Sequence, residues 1–328
     1  MRVGDVISGD VLVIGDVMLD VYIRGIATRL SPEAPIPIVD VTSEEYAPGG
    51  AGNVALNLAR LGCHVKLFGA CGMDDAGSRL SELLVFHGIE PELFLVNAMT
   101  PMKTRIVASD QQLVRFDREE MFNVSSKQLL TSVIESVSQG KFCAVVLSDY
   151  NKGILSYKFC QSFIKYCNVN GIPVLVDPKR GDWCQYRGAY LVKPNLKEFC
   201  SVVKHDVKND SDVVSCARVL LDEYNLGAIL VTMGKMGMIL IERDKEEKFI
   251  KAEIREVFDV SGAGDTAIAT LAACLCSGFS LHNAAKIANA AAGLVVGKLG
   301  TSTVCDDELT NYVSEIVNEK VDFCSYHS

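Results

Sequence analysis

Eight consecutive residues, Asp259-Val260-Ser261-Gly262-Ala263-Gly264-Asp265-Thr266, join a glycine loop to a carboxylate and run straight into the small apolar stretch Ala267 to Ala273. The pattern reads as a loop that opens a helix, with Asp265 in the first turn. The first N–H groups of a helix lack partners within it and carry a positive partial charge, so the amides of Gly262, Ala263 and Gly264 can cradle an anion. A carboxylate beside such a cradle can take a proton from a hydroxyl while the amides receive negative charge, a pairing that suits phosphoryl transfer. Asp at a helix start is also a common cap, and the octapeptide alone does not separate the two uses.

Other segments carry similar chemistry. Pro48-Gly49-Gly50-Ala51-Gly52-Asn53 opens a second helical pattern, Val54 to Leu61. Both glycine loops fit G-x-G-x-x-A formally, but a dinucleotide fold carries that signature in its first strand-to-helix turn. Here that turn is read as Gly15-Asp16-Val17-Met18-Leu19-Asp20, with acids in place of glycines. No G-x-x-x-x-G-K-[ST] occurs, which removes a P-loop. In Lys193-Pro194-Asn195-Leu196-Lys197-Glu198, a helix begun by Pro194 puts Asn195 and Glu198 on one face, within reach of a metal–water shell; a simple cap by Asn195 is the alternative. The glycines of Thr232-Met233-Gly234-Lys235-Met236-Gly237 permit close approach to a ligand or a hairpin into Met238-Ile239-Leu240.

These segments need a scaffold, and short apolar runs supply one. Val11 to Ile14, Val65 to Phe68, Ala144 to Leu147, Val174 to Val176 and Ala228 to Val231 read as buried strands, separated by helical stretches such as Asn53 to Leu61 and Ser78 to His87. The alternation predicts an α/β fold with a mostly parallel sheet and helices on both faces. Such sheets bind ligands beyond the carboxyl ends of their strands. There the sequence places Asp16, Ser148-Asp149-Tyr150, Asp177-Pro178-Lys179 and Thr232-Met233-Gly234. Ile36 to Val41, with Thr104 to Ser109 and Leu113 to Phe116 joined through Asp110-Gln111-Gln112, break the rhythm and predict a small β lid near 21–47 and 101–118. An edge extension or a dimer contact would explain these strands equally well. No long linker interrupts the 328 residues, so one domain with an inserted lid is expected.

The net charge of −9 argues against nucleic acid as a partner and favours a small molecule. The first ten residues lack a basic segment followed by an apolar run, and no apolar run approaches the roughly 20 residues of a bilayer span, so a cytoplasmic protein free of the membrane is expected. The 12 cysteines show no C-x-x-C pair, and Cys63-His64 with Cys71 is the nearest approach to a metal cluster; buried, reduced thiols are the expectation. The histidines, His87 and His282 among them, form no ligand or triad spacing. Arg105 and Lys179 are candidates to grip a phosphate, the first because its guanidinium can bind bidentately, the second because it follows a strand.

The motifs at Gly49 to Asn53 and Asp259 to Thr266, in this order and distance, resemble the two signatures of the ribokinase/PfkB carbohydrate kinases. The resemblance covers nearly the whole chain and implies a ribokinase-like three-layer fold. More narrowly, Gly15 to Asp20, Ser31-Pro32-Glu33-Ala34-Pro35-Ile36-Pro37, Ser148 to Tyr150, Asn289 to Gly293 and Gly297 to Thr303 resemble the D-glycero-β-D-manno-heptose-7-phosphate kinases. That likeness implies ATP-dependent phosphorylation of the anomeric C1 hydroxyl of the heptose 7-phosphate, on the route to ADP-heptose and lipopolysaccharide; a PfkB-type kinase for another sugar, sugar phosphate or nucleoside is the alternative. It implies Asp265 as base and Gly262, Ala263 and Gly264 as anion hole. Asn195, Leu196, Lys197 and Glu198 would serve ATP, with Glu198 reaching Mg²⁺ through water; Thr232, Gly234, Gly237 and Asn289 would also hold the nucleotide. Asp16, Asp20, Gly49, Gly50, Asn53, Arg105, Asp149 and Lys179 would face the sugar phosphate. Asp259, Ser261 and the Gly297 to Ser302 loop would bind a monovalent cation such as K⁺. A homodimer through the lid is expected. Such kinases are often fused to an adenylyltransferase, and the lack of an H-x-G-H motif here implies a separate enzyme for that step. The signature reads Asp-Val-Ser where many sugar kinases have Asp-Thr-Thr.

Overall fold

The computed structural model describes residues 7–108, 111–179, 181–203, 205, 207–252, 261–297, 303–304, 308–310 and 312–314. Asp259, Val260, the Lys298 to Ser302 part of the cation loop, and Ser109 and Asp110 of the hairpin lie outside these residues. The chain begins with β1 (Asp10–Gly15), β2 (Val17–Leu30) and β3 (Pro37–Gly50), then α1 (Ala51–Arg60), β4 (His64–Gly72), α2 (Asp75–Phe86) and β5 (Glu90–Val96). It continues through β6 (Met102–Ala108), β7 (Gln111–Arg118), α3 (Ser126–Gln139), β8 (Ala144–Ser148), α4 (Tyr157–Val169), β9 (Val174–Asp177) and β10 (Leu191–Val192). The remaining elements are α5 (Leu196–Val203), α6 (Asp210–Glu223), β11 (Ala228–Thr232), β12 (Met238–Glu242), β13 (Lys248–Ile250), α7 (Ala263–Cys276) and α8 (Leu281–Val295).

Nine strands form the main sheet in the order β13-β12-β11-β10-β9-β8-β1-β4-β5. All neighbours are parallel from β11 to β5, and β12 and β13 add an antiparallel edge. The strands read as unbroken apolar runs because both of their faces are covered. Val11 and Val13 of β1 point into one core with α1, α2, α7 and α8, while Leu12 and Ile14 point into the other with α3, α4, α5 and α6. Among the described residues six helices start on a side-chain cap, Asp74, Ser125, Ser156, Asn195, Asn209 and Ser280 each accepting from the backbone N–H three residues on. This is the three-layer α/β architecture expected from the sequence. Among the described residues no helix is long and apolar enough to cross a membrane.

One reading is corrected. Gly15 to Asp20 does not turn into a helix: after Asp16 the chain continues as the 14-residue strand β2, which leaves the main sheet to join a second one. The side chains of Val17 to Tyr22 are buried, so this segment is anchored in the core before its polar second half emerges. The second sheet has the order β3-β2-β6-β7, with β2 parallel to β6 and the other pairs antiparallel.

The switch in strand order falls between β1 and β8, where the chain winds one way to β4 and β5 and the other way to β9, β10 and β11. A crevice must open there at the carboxyl ends of the strands.

Candidate active site

Gly262 opens α7 with φ at 81°, a left-handed conformation that costs glycine little and other residues more. Asp265 therefore falls in the first helical turn, near the unpaired amides, and is 6 % exposed. Its two oxygens are held from opposite sides: Asn53 Nδ2 donates to Oδ2 at 2.7 Å and Tyr150 Oη donates to Oδ1 at 2.8 Å. Burial raises the Asp265 carboxyl above its ordinary range; the Asn53 and Tyr150 donors and the Lys193 charge pull it back, and the Asp20 charge raises it.

Facing this turn, Lys193 follows β10 with its side chain 2 % exposed, its Nζ 3.0 Å from Asp177 Oδ1 at the end of β9. Gly264 presents its backbone to the pair, since a Cβ placed there would lie 3.5 Å from Lys193 Nζ. Burial lifts the Asp177 carboxyl to about 7, opposed by Lys193 and assisted by the Asp265 and Glu198 charges. Lys193, Asp177, Glu198 and Lys179 line the same cleft, of about 360 Å³, with Asp149, Tyr150, Asn195, Thr232, Gly234 and Gly262 to Asp265. Several carboxylates crowd this space, so a polyphosphate would enter it best accompanied by a cation.

The Asn195–Glu198 pair forms a reciprocal capping box. Glu198 N–H donates to Asn195 Oδ1 at 2.9 Å, and Asn195 N–H donates to Glu198 Oε2 at 3.0 Å. The other Glu198 oxygen accepts from Lys179 Nζ at 3.4 Å, which sets Lys179 beside this pair. Leu196 and Lys197 do not line the cleft. Gly237 sits outside it too, at the hairpin between β11 and β12, and Asn289 of α8 donates to the Lys251 carbonyl at 2.8 Å. Ser261 stands in the turn before α7.

The acids at the strand ends divide by task. Asp16 accepts from the backbone N–H groups of Tyr150, Lys152 and Ile154, so it braces the loop that delivers Tyr150. Asp149 accepts from Asn151 N–H, Gln185 Nε2 and Tyr186 Oη. Asp20 and Arg105 form a buried pair at 2.8 Å. Gly49 leaves room for that pair, since a Cβ there would come within 2.6 Å of Asp20 Oδ2, and Gly50 (φ +59°) lets β3 end against the Asp16 carbonyl. Asp16, Asp20, Gly49, Gly50 and Arg105 thus gather where the second sheet meets the first, and Asn53 connects them to Asp265. Sequence reasoning assigned no role to Tyr150 or Lys193, although both sit one or two residues beyond a strand end, the signal that marks this edge.

A left-handed glycine cap, a buried carboxylate in the first turn and a lysine facing both thus meet in one cleft at the carboxyl edge of a three-layer α/β fold. Escherichia coli phosphofructokinase-2, solved in complex with potassium, superposes over 94% of this chain and 99% of its own with a TM-score of 0.77 at 18% identity. A ribokinase from Thermotoga maritima covers 93% and 99% with a TM-score of 0.72 at 21% identity. The chain belongs to the pfkB family of carbohydrate kinases, whose model matches residues 8–308. It is 44% identical over 310 residues to the bifunctional protein HldE of Vibrio cholerae, covering 94% of this chain and 64% of that protein. With HldE of Shewanella sediminis it shares 46% over 305 residues, covering 93% and 63%. The chain thus spans just under two thirds of the length of these curated relatives.

Proposed function

We propose that the protein transfers the γ-phosphoryl group of ATP to the anomeric C1 hydroxyl of D-glycero-β-D-manno-heptose 7-phosphate, giving the 1,7-bisphosphate and ADP on the route to ADP-heptose and lipopolysaccharide. The observation that carries the transfer is Asp265, buried in the first turn of α7 beside Gly264 and Lys193. In this reading Asp265 takes the C1 hydroxyl proton as that oxygen bonds to the γ-phosphorus and the bond to the β-phosphate oxygen breaks, with ADP leaving. The amides of Gly262 to Gly264 and the Lys193 ammonium meet the charge on the transferred group. Asn195, Glu198, Thr232 and Gly234 line the nucleotide side, and Asp20, Asn53 and Arg105 the sugar side. The heptose is supported by the Ser31 to Pro37 and Gly297 to Thr303 segments and by the 44% and 46% identities to HldE. An adenylyltransferase acts later on the same route.

Mg²⁺ fits as a companion of ATP. Glu198 would reach it through water, and among the described residues no group of three His, Cys, Asp or Glu side chains could hold an ion alone. A single carboxylate acting through water suits Mg²⁺, which keeps several of its own waters. When bound it neutralises charge on the β- and γ-phosphates. A monovalent cation beside Asp259 and Ser261 belongs to the same reading, and K⁺ replacing Li⁺ in the assay below would then raise the rate. The exposed apolar side chains of the second sheet, Ile26, Leu30, Val41, Leu113 and Phe116, suit a lid that also pairs with a second copy. Solution scattering is expected to return the mass of a dimer, and a monomer would refute that pairing.

A coupled ADP-release assay with heptose 7-phosphate, fructose 6-phosphate, fructose 1-phosphate and ribose tests the substrate. Heptose 7-phosphate is expected to be turned over fastest; release with a fructose phosphate and none with the heptose would sink the assignment.

A further inference from the structure

Asn53 can serve Asp265 only if its amide is turned the right way, since its NH₂ end stabilises a carboxylate and its oxygen repels one. We propose that Asn57 and Thr266 are positioning residues that fix this polarity. The proposal rests on Asp265 being the base.

The geometry runs between α1 and α7. Asn57, one helical turn after Asn53, donates from Nδ2 to the Asn53 backbone carbonyl at 2.9 Å and to Asn53 Oδ1 at 3.2 Å. Thr266 Oγ1 donates to Asn57 Oδ1 at 3.0 Å, and Thr270 Oγ1 donates to the Thr266 carbonyl at 2.8 Å. None of Asn53, Asn57, Thr266 and Thr270 is more than 2 % exposed, so water does not substitute for a missing partner. The direction follows from one group that cannot be reversed. A backbone carbonyl only accepts, so Asn57 must turn its NH₂ toward Asn53. The Asn53 side-chain oxygen must then face Asn57, which leaves the Asn53 NH₂ for Asp265 Oδ2. Thr266 holds the far end, because its hydroxyl can donate to the Asn57 oxygen. The neighbour of the base in sequence thus returns to orient it through two asparagines.

The readout is the protonation of Asp265. The other titratable groups acting on it are Tyr150 from the loop after β8, Asp177 and Lys193 from the ends of β9 and β10, and Asp20 of β2. These stay in place when Asn57 or Thr266 changes. If Asn53 turns over, Asp265 loses a donor and gains a facing oxygen, which favours its neutral form. A base that protonates more readily moves the acidic limb of the pH–rate profile to higher pH.

Asn57→Leu, Thr266→Val and Thr266→Ser are compared by kcat, nucleotide KM and the pH dependence of kcat, with circular dichroism to establish folding. Asn57→Leu is expected to lower kcat by about 10- to 100-fold and to move the acidic limb upward by about half a pH unit or more. Nucleotide KM is expected to stay within about two-fold. Thr266→Val shifts the limb in the same direction, and Thr266→Ser, which keeps the hydroxyl, recovers most of the change. A folded Asn57→Leu or Thr266→Val protein with an unmoved acidic limb overturns the proposal, even if kcat falls. Should Asn57→Leu not fold, the two Thr266 variants decide. If Asp265→Asn keeps its activity, the base assignment itself fails; if it is inactive while the limb stays put, only the positioning role fails.

Discussion

Asp265→Asn is expected to lower kcat by about 10²- to 10⁴-fold, the span that a positioned general base supplies. The amide is nearly isosteric, so Asn53 and Tyr150 keep neighbours at the same positions. Tyr150 can still donate to the new oxygen, but an NH₂ group facing Asn53 Nδ2 leaves one buried donor unmatched. Melting temperature and circular dichroism check that loss separately from chemistry. The wild-type profile carries the same signature. Burial holds the Asp265 carboxyl above its ordinary range, so activity should fall on acidification at a pH above that of a solvent-exposed aspartate. A folded Asp265→Asn protein with most of its kcat would mean that another group takes the proton.

Lys193→Met should have the second large effect. Its stem sits in a fully packed position, which methionine can fill, but the charge facing Gly264 and Asp177 is gone. Loss of one donor to developing charge costs on the order of 10²- to 10³-fold in kcat. The same change alters stability, with a sign fixed by Asp177. A carboxyl whose native pKa is raised binds more protons folded than unfolded, so its contribution is greatest at acid pH and is lost as pH rises through the native value. That value is about 7 with Lys193 present, and the lysine is the group that opposes the rise. Without it the native pKa climbs further, and the variant should lose melting temperature relative to wild type more at pH 8 than at pH 6. Adding Asp177→Asn should remove this pH dependence without restoring kcat. Equal losses of melting temperature at both pH values would count against a buried pair coupled in this way.

How far the sequence reveals these features depends on whether the signal is local. β1, β4, β8, β9 and β11 announce themselves because strands buried on both faces become runs of Val, Ile and Leu. β2 escapes notice for the converse reason: half buried and half exposed, it mixes Asp20, Arg24 and Gly25 into one strand, and its acids near Asp16 imitate a loop. β10 is two residues long, too short for any period to register. The Gly262 to Asp265 turn is local, and so its helix start can be read directly. Tyr150 acquires its place only by meeting a residue 115 positions away, across layers the pattern does not encode. The Asn195–Glu198 spacing reads as one face of a helix begun by Pro194, but α5 starts at Leu196 and Asn195 stands outside it as a reciprocal cap, the alternative the same spacing allows.

β2 gives the molecule a mechanical property. Its first residues are clamped by Asp16, by the Asp20–Arg105 pair and by the core around Val17 to Tyr22, while its far end stands in solvent. From Asp20 to the end of β2 at Leu30 the strand spans about 33 Å at a strand's rise. A tilt of about 10° at Asp20 would carry the tip about 6 Å, simply by the length of that arm. The strand is therefore a lever whose fulcrum is the Asp20–Arg105 pair, and a small displacement of Asp20 would be amplified at the exposed end of the second sheet.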